Sequence, residues 1–197
     1  MIDPEFWRLL ATISATMIGL VFLGTIYYLE SGWEEYDVYR HEMEALSVRG
    51  AQLIIAYFST VLVLSLLQEP FLPEVVTTVA FVVLAVAVII GTRSANDALR
   101  TYEQAAPSEW DSLLLQSSRI ASWVAFILVF VAPPVIWHAT RPFDSMAELL
   151  TLPELSIAWI AILALLFGYW NLVQFLLLPY EISKQEREVE GERQRPD

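Results

Sequence analysis

Cysteine is absent from this chain of 197 residues, and lysine is almost absent. Without cysteine the protein forms no disulfide, no thiolate metal site and no cysteine nucleophile. Lys184 is the only lysine among 11 basic residues, against 23 acidic residues, which gives a formal net charge of −12. Such a chain would repel phosphate, so we expect no nucleic-acid partner. An acidic, lysine-poor composition suits a high-salt cytoplasm and favours a halophilic archaeal source.

Charged residues are also missing from the middle of every long apolar run. Ion-coupled transporters and intramembrane proteases need ionisable groups at that depth, so both classes are disfavoured. The chain has no glycine-rich phosphate loop, no dinucleotide fingerprint and no H-E-x-x-H zinc motif. We therefore expect no enzymatic activity and no cofactor. In the densest polar stretch, residues 33–44, His41 lies among carboxylates, but a solvated acidic helix explains it better than a metal site.

Hydrophobic residues are abundant: they make up 56% of the chain, and the mean hydropathy is +0.53. Five apolar runs are each long enough for a helix to cross a hydrocarbon core of about 30 Å. They cover roughly residues 6–29, 51–67, 75–92, 120–137 and 155–178. The sequence thus predicts an all-α integral membrane protein, with a five-span domain over residues 1–182 and a charged tail over 183–197. Pro179 is expected to end the fifth helix.

Basic residues are distributed unevenly between the two sides of such a topology. Arg8 and Arg141 lie on one side, and nine basic residues lie on the other, in the 30–50 link, the 93–119 link and the tail: Arg40, Arg49, Arg93, Arg100, Arg119, Lys184, Arg187, Arg193 and Arg195. The positive-inside rule predicts an N-terminus outside the cell membrane and a cytoplasmic C-terminus. The polar segments that flank the spans on the inner side are expected to be cytoplasmic helical extensions.

The first span carries an unusual stripe of charged, hydroxyl and small residues. At about 100° per residue, one face collects Glu5, Arg8, Thr12, Ala15, Thr16, Gly19, Leu23, Ile26 and Glu30. Two interpretations fit this face. Ala11, Ala15 and Gly19 form a small-xxx-small series that allows close packing between helices. Alternatively, the same face lines a water-filled path with acidic groups at both ends.

Polar residues and prolines in the later spans have predicted structural roles. Gly168, Asn171 and Gln174 in the fifth span are expected to pack against other helices. Pro133 and Pro134 are expected to kink or break the fourth. The second span contains Tyr57, Ser59, Thr60 and Ser65, whose hydroxyls are expected to bond to carbonyls of the preceding turn.

The leading functional hypothesis is an oligomeric, cation-conducting channel with the first helix lining a central path. Glu5 and Glu30 would concentrate cations, Thr12, Thr16 and Gly19 would form a narrow polar middle, and Leu23 and Ile26 would form a hydrophobic gate. The alternative is a non-conducting scaffold whose first helix contacts other copies or a partner. A homo-oligomer in the lipid bilayer is expected, and both hypotheses allow a cytoplasmic protein partner.

Overall fold

A computed structural model describes residues 2–31, 40–68, 74–105, 112–140 and 153–193. All regular structure in these residues is helical. The elements are α1 (Pro4–Ser31), α2 (Arg40–Leu66), α3 (Glu74–Ala105), α4 (Ser112–Phe126), a π-helical turn (Ile127–Val131), α5 (Ala132–Thr140) and α6 (Glu154–Arg193). The predicted all-α class is confirmed.

Within the described residues, five helical stretches are long and apolar enough to cross a membrane. They are Pro4–Tyr27, Glu44–Leu66, Val75–Thr101, Arg119–Thr140 and Glu154–Leu176, so the five predicted spans are all present. The fourth stretch combines α4, the π-helical turn and α5. This is the arrangement of a multi-pass membrane protein. The orientation of the chain and the side on which the helical extensions lie stay predictions.

The start of α1 follows from the sequence Asp3-Pro4-Glu5. The Oδ1 atom of Asp3 accepts a hydrogen bond from the Glu5 N–H at 2.9 Å, and its carbonyl accepts one from the Phe6 N–H at 3.0 Å. Pro4 occupies the first helical position, where its missing N–H costs nothing. The Ile2 N–H donates to Glu154 Oε1 at 2.8 Å, so the N-terminal ends of α1 and α6 meet at one end of the bundle.

Helix α2 is the centre of the bundle, and it contacts α1, α3 and α6. Half of its apolar segment is buried (50%), against 17% in α1 and 22% in α3. Small residues allow the neighbouring helices to approach it. A Cβ at Gly91 would lie 3.4 Å from Leu53, and a Cβ at Gly168 would lie 3.0 Å from the Phe58 ring.

The fourth span changes helical register at its middle. The Ala132 N–H donates to the carbonyl of Ile127, five residues earlier, which closes the π-helical turn. Pro133 and Pro134 follow immediately, inside α5. A π-helical turn accommodates residues that cannot supply the usual donor. A bend of the helix axis at these prolines stays a prediction.

Helix α6 continues beyond the position where the sequence predicted its end. It runs through Pro179 to Arg193, so the expectation that Pro179 ends the helix is wrong. Proline removes only one backbone donor, and a helix already stabilised on both sides tolerates that loss. The described helix therefore includes most of the predicted charged tail, and residues 194–197 lie outside the described part of the chain.

Candidate functional site on the first helix

The polar stripe of α1 points away from the rest of the bundle. We call this surface the outer stripe; its described side chains, Glu5, Arg8, Thr12, Ala15, Thr16, Gly19, Leu23 and Ile26, are all exposed. The opposite face of α1 is buried through Trp7, Leu10, Ser14 and Val21. The sequence pattern had identified which residues share a face. The structure adds that a single copy leaves this face uncovered.

The two threonines of the outer stripe satisfy their own hydrogen bonds. Thr12 Oγ1 donates to the carbonyl of Arg8 at 2.9 Å, and Thr16 Oγ1 donates to the carbonyl of Thr12 at 2.9 Å. Each hydroxyl keeps free acceptor capacity towards the outside of the helix. These side chains are therefore tolerated in lipid, and they can also face water or a neighbouring helix.

Space is open around the small residues of this helix. A Cβ at Gly19 or at Gly24 would have no neighbouring atom within 4 Å. Further along the stripe, Leu23 is 64% exposed and Ile26 is 37% exposed. Ala11, predicted to pack, is half-buried, and Ala15 is exposed. The outer stripe thus offers a shallow small-residue surface followed by two aliphatic side chains.

Charged groups lie at the beginning of the outer stripe. Glu5 and Arg8 are exposed and lie one turn apart in the first turns of α1. Glu30 belongs to the last turn of α1, but its side chain lies outside the described part of the structure. The described residues contain no group of three potential metal ligands, and residues 32–39 of the acidic stretch before α2 are not described.

The predicted packing residues of the fifth span occupy three different environments. Gly168 is buried against the ring of Phe58. Asn171 is half-buried, and its Nδ2 donates to the carbonyl of Phe167 at 2.7 Å, within its own helix. Gln174 is exposed, so a packing role for it requires a contact outside this chain.

Several buried polar groups have no hydrogen-bond partner, and for Tyr57 and Ser65 the expected bond to the preceding turn is therefore wrong. Thr60 Oγ1 donates to the carbonyl of Ala56 at 2.9 Å, as expected for the second span. The hydroxyls of Tyr57 and Ser65 in the same helix are buried without a partner, and so are Thr92 Oγ1 and the side-chain amide of Asn96 in α3. A polar side chain in an apolar segment was the only available signal, and it does not distinguish bonded from unbonded groups.

Comparison of the chain with protein-family models, curated proteins and solved structures returns no match.

Proposed function

We propose that this is an oligomeric, channel-like membrane protein in which the outer stripes of several copies surround a central path for cations. The observation that carries this proposal is the direction of the stripe. Its hydroxyl and charged residues face away from their own bundle, where they meet lipid, water, another copy or a partner protein. Polar residues in a membrane segment are usually directed towards protein or water, because lipid cannot hydrate them.

Each part of the outer stripe has a role in this arrangement. Glu5 at the outer end and Glu30 at the inner end attract cations. Thr12 and Thr16 offer oxygen atoms beside Gly19, which has no side chain to narrow the path. Leu23 and Ile26 then form an apolar constriction that opens and closes by wetting and dewetting. Arg8 lies close to the outer mouth and limits cation entry.

A non-conducting scaffold is the second candidate, and one observation favours it. The hydroxyls of Thr12 and Thr16 are already bonded within the helix, so they do not require water. Together with Ala15 and Gly19, they would also suit close contact between two helices. In both candidates the helical extensions provide a cytoplasmic surface for a protein partner.

The first experiment measures the mass of the particle purified in nanodiscs. A single species of about four to six copies supports a closed ring with a central path. A monomer contradicts both an α1-lined path and a self-associating scaffold.

The second experiment measures ion leak across vesicles that contain the Leu23→Ser variant. A polar side chain at the constriction should raise the leak several-fold. Val83→Ser is the matched control, because Val83 of α3 is similarly exposed (61%, against 64% for Leu23) but lies outside the stripe. Equal leak from both variants would overturn the assignment of Leu23 to a gate.

The third experiment separates a path from a packing contact. The double variant Thr12→Ala with Thr16→Ala removes both hydroxyls and leaves small side chains on the outer stripe. Gly19→Leu instead adds a large side chain there. If the outer stripe is a packing surface, the oligomer still forms in the double threonine variant and dissociates in the Gly19→Leu variant. A conducting surface shows altered conduction with both changes, at an unchanged particle mass for the threonine variant.

A further inference from the structure

Two prolines deprive one buried carbonyl of every donor that its own helix could supply. In an α-helix the carbonyl of Val129 would accept from residue 133, and in the π register from residue 134. Both positions are proline and carry no N–H. The N–H of Ala132 donates to Ile127 instead. Val129 itself is 0% exposed, so bulk water does not reach this group.

A buried donor without a partner lies in the same part of the core. Tyr57 of α2 is 0% exposed, and its hydroxyl has no hydrogen-bond partner. Its ring is tilted against that of Phe130, the residue after Val129, with the ring centroids 6.5 Å apart. Phe81 and Phe126 complete this aromatic cluster, with centroids 5.6 and 5.4 Å from that of Phe130.

The two groups are complementary, but they do not bond directly. A carbonyl needs a donor, and a phenolic hydroxyl both donates and accepts. Leaving either group unpaired in an apolar core is costly, and this is the usual reason for a conserved internal water in a protein. One water molecule joins polar atoms that lie up to about 5.5 Å apart, twice the usual O–H···O distance.

We propose that a buried water site lies between the Tyr57 hydroxyl and the Val129 carbonyl, at the proline-induced helix break of the fourth span. A metal ion fits these groups poorly, because it requires several oxygen ligands, commonly with carboxylates. Neither α2 between residues 51 and 66 nor the fourth span between 120 and 137 contains an acidic residue. Water, by contrast, supplies both the donor and the acceptor that the two groups need.

The site lies inside a single copy, so it does not depend on the proposed oligomer or on conduction. Water at this position replaces the helical hydrogen bond that the prolines remove. It thereby stabilises the π-helical turn within the membrane.

The test is water-edited solid-state NMR of the full chain in bilayers, with valine carbonyls labelled. Val61 and Val88 are matched controls, because both are valines with 0% exposure in uninterrupted helices. Magnetisation from water should reach the Val129 carbonyl several-fold faster than the carbonyls of Val61 and Val88. Equal transfer at all three positions would overturn the proposal.

Two variants identify the partners of this water. Tyr57→Phe removes only the hydroxyl and should reduce transfer to Val129 several-fold. Pro133→Ala restores a donor for the Val129 carbonyl and should lower transfer to the level of Val61. Unchanged transfer in a folded Tyr57→Phe variant would refute the role of the hydroxyl. If either variant fails to fold, the comparison of the three valines in the unmodified chain still decides whether the site exists.

Discussion

Adding a single methyl group at Gly168 should destabilise the contact between α2 and α6. A Cβ at this position would lie 3.0, 3.2 and 3.2 Å from three atoms of the Phe58 ring, closer than ordinary van der Waals contact. Phe58 is 0% exposed, so its ring is enclosed by neighbouring side chains. Overpacking of this kind costs roughly 1–3 kcal/mol.

The gain in helix propensity from glycine to alanine offsets about 1 kcal/mol of that cost. The net effect of Gly168→Ala is therefore a loss of about 0–2 kcal/mol in the free energy of unfolding. Gly24→Ala is the matched control, because a Cβ there meets nothing within 4 Å, and it should gain up to about 1 kcal/mol. Gly50→Ala is intermediate, since its Cβ would lie 3.5 Å from the Phe175 ring, an ordinary contact.

The assay is thermal unfolding in one detergent, followed by far-ultraviolet circular dichroism. At about 2–4 °C per kcal/mol for a chain of this size, Gly168→Ala should melt several degrees below Gly24→Ala. Identical midpoints for the two variants would refute the close packing of α6 on α2. A midpoint for Gly50→Ala below that of Gly168→Ala would refute the ranking of the three sites by distance.

The orientation and the buried polar groups give further predictions. The chain lacks cysteine, so single cysteines introduced at the two faces can be labelled with a membrane-impermeant maleimide. The predicted orientation places Thr140 outside and Gln104 inside, so Thr140→Cys should react in intact cells and Gln104→Cys only after permeabilisation. The reverse labelling pattern would show that the orientation is inverted. Asn96→Leu should raise the thermal midpoint, because both polar atoms of this buried amide lack partners, and a lower midpoint would mean that the amide is satisfied in the membrane. Arg49→Met should cost less than about 1 kcal/mol in chemical unfolding, because Nη1 donates to the Ser94 carbonyl at a long 3.4 Å; a larger loss would indicate a stronger contact.

Composition and local pattern were sufficient to predict the helical architecture. Long apolar runs predicted the five spans, and the start of α1 is explained by Asp3 and Pro4, because capping depends on neighbouring residues alone. Pro179 was misjudged for the opposite reason. Whether a helix continues past a proline depends on the helix that surrounds it, and α6 continues to Arg193.

The candidate sites were predictable only in part. Helical periodicity placed Thr12, Thr16 and Gly19 on one face, but it contains no information on what that face meets. Among the hydroxyls of the second span, the expected bond to the preceding turn forms at Thr60 but not at Tyr57 or Ser65. Thr60 is β-branched and bonds back to Ala56, whereas the Tyr57 hydroxyl is carried too far from its own backbone to do so.

The interior of one copy favours a path between copies over a path within one. The largest fully buried side chains are on α2 and include Tyr57, Phe58, Ile54 and Leu64, and these fill the space between the helices. Among the described outer faces, that of α3 is lined by exposed valines, and that of α6 carries the exposed aromatic residues Trp159, Tyr169 and Trp170. Such surfaces suit lipid and its interface. The outer stripe of α1 differs from both by its hydroxyls and charges, which is why the proposed path runs between copies with α1 turned inward.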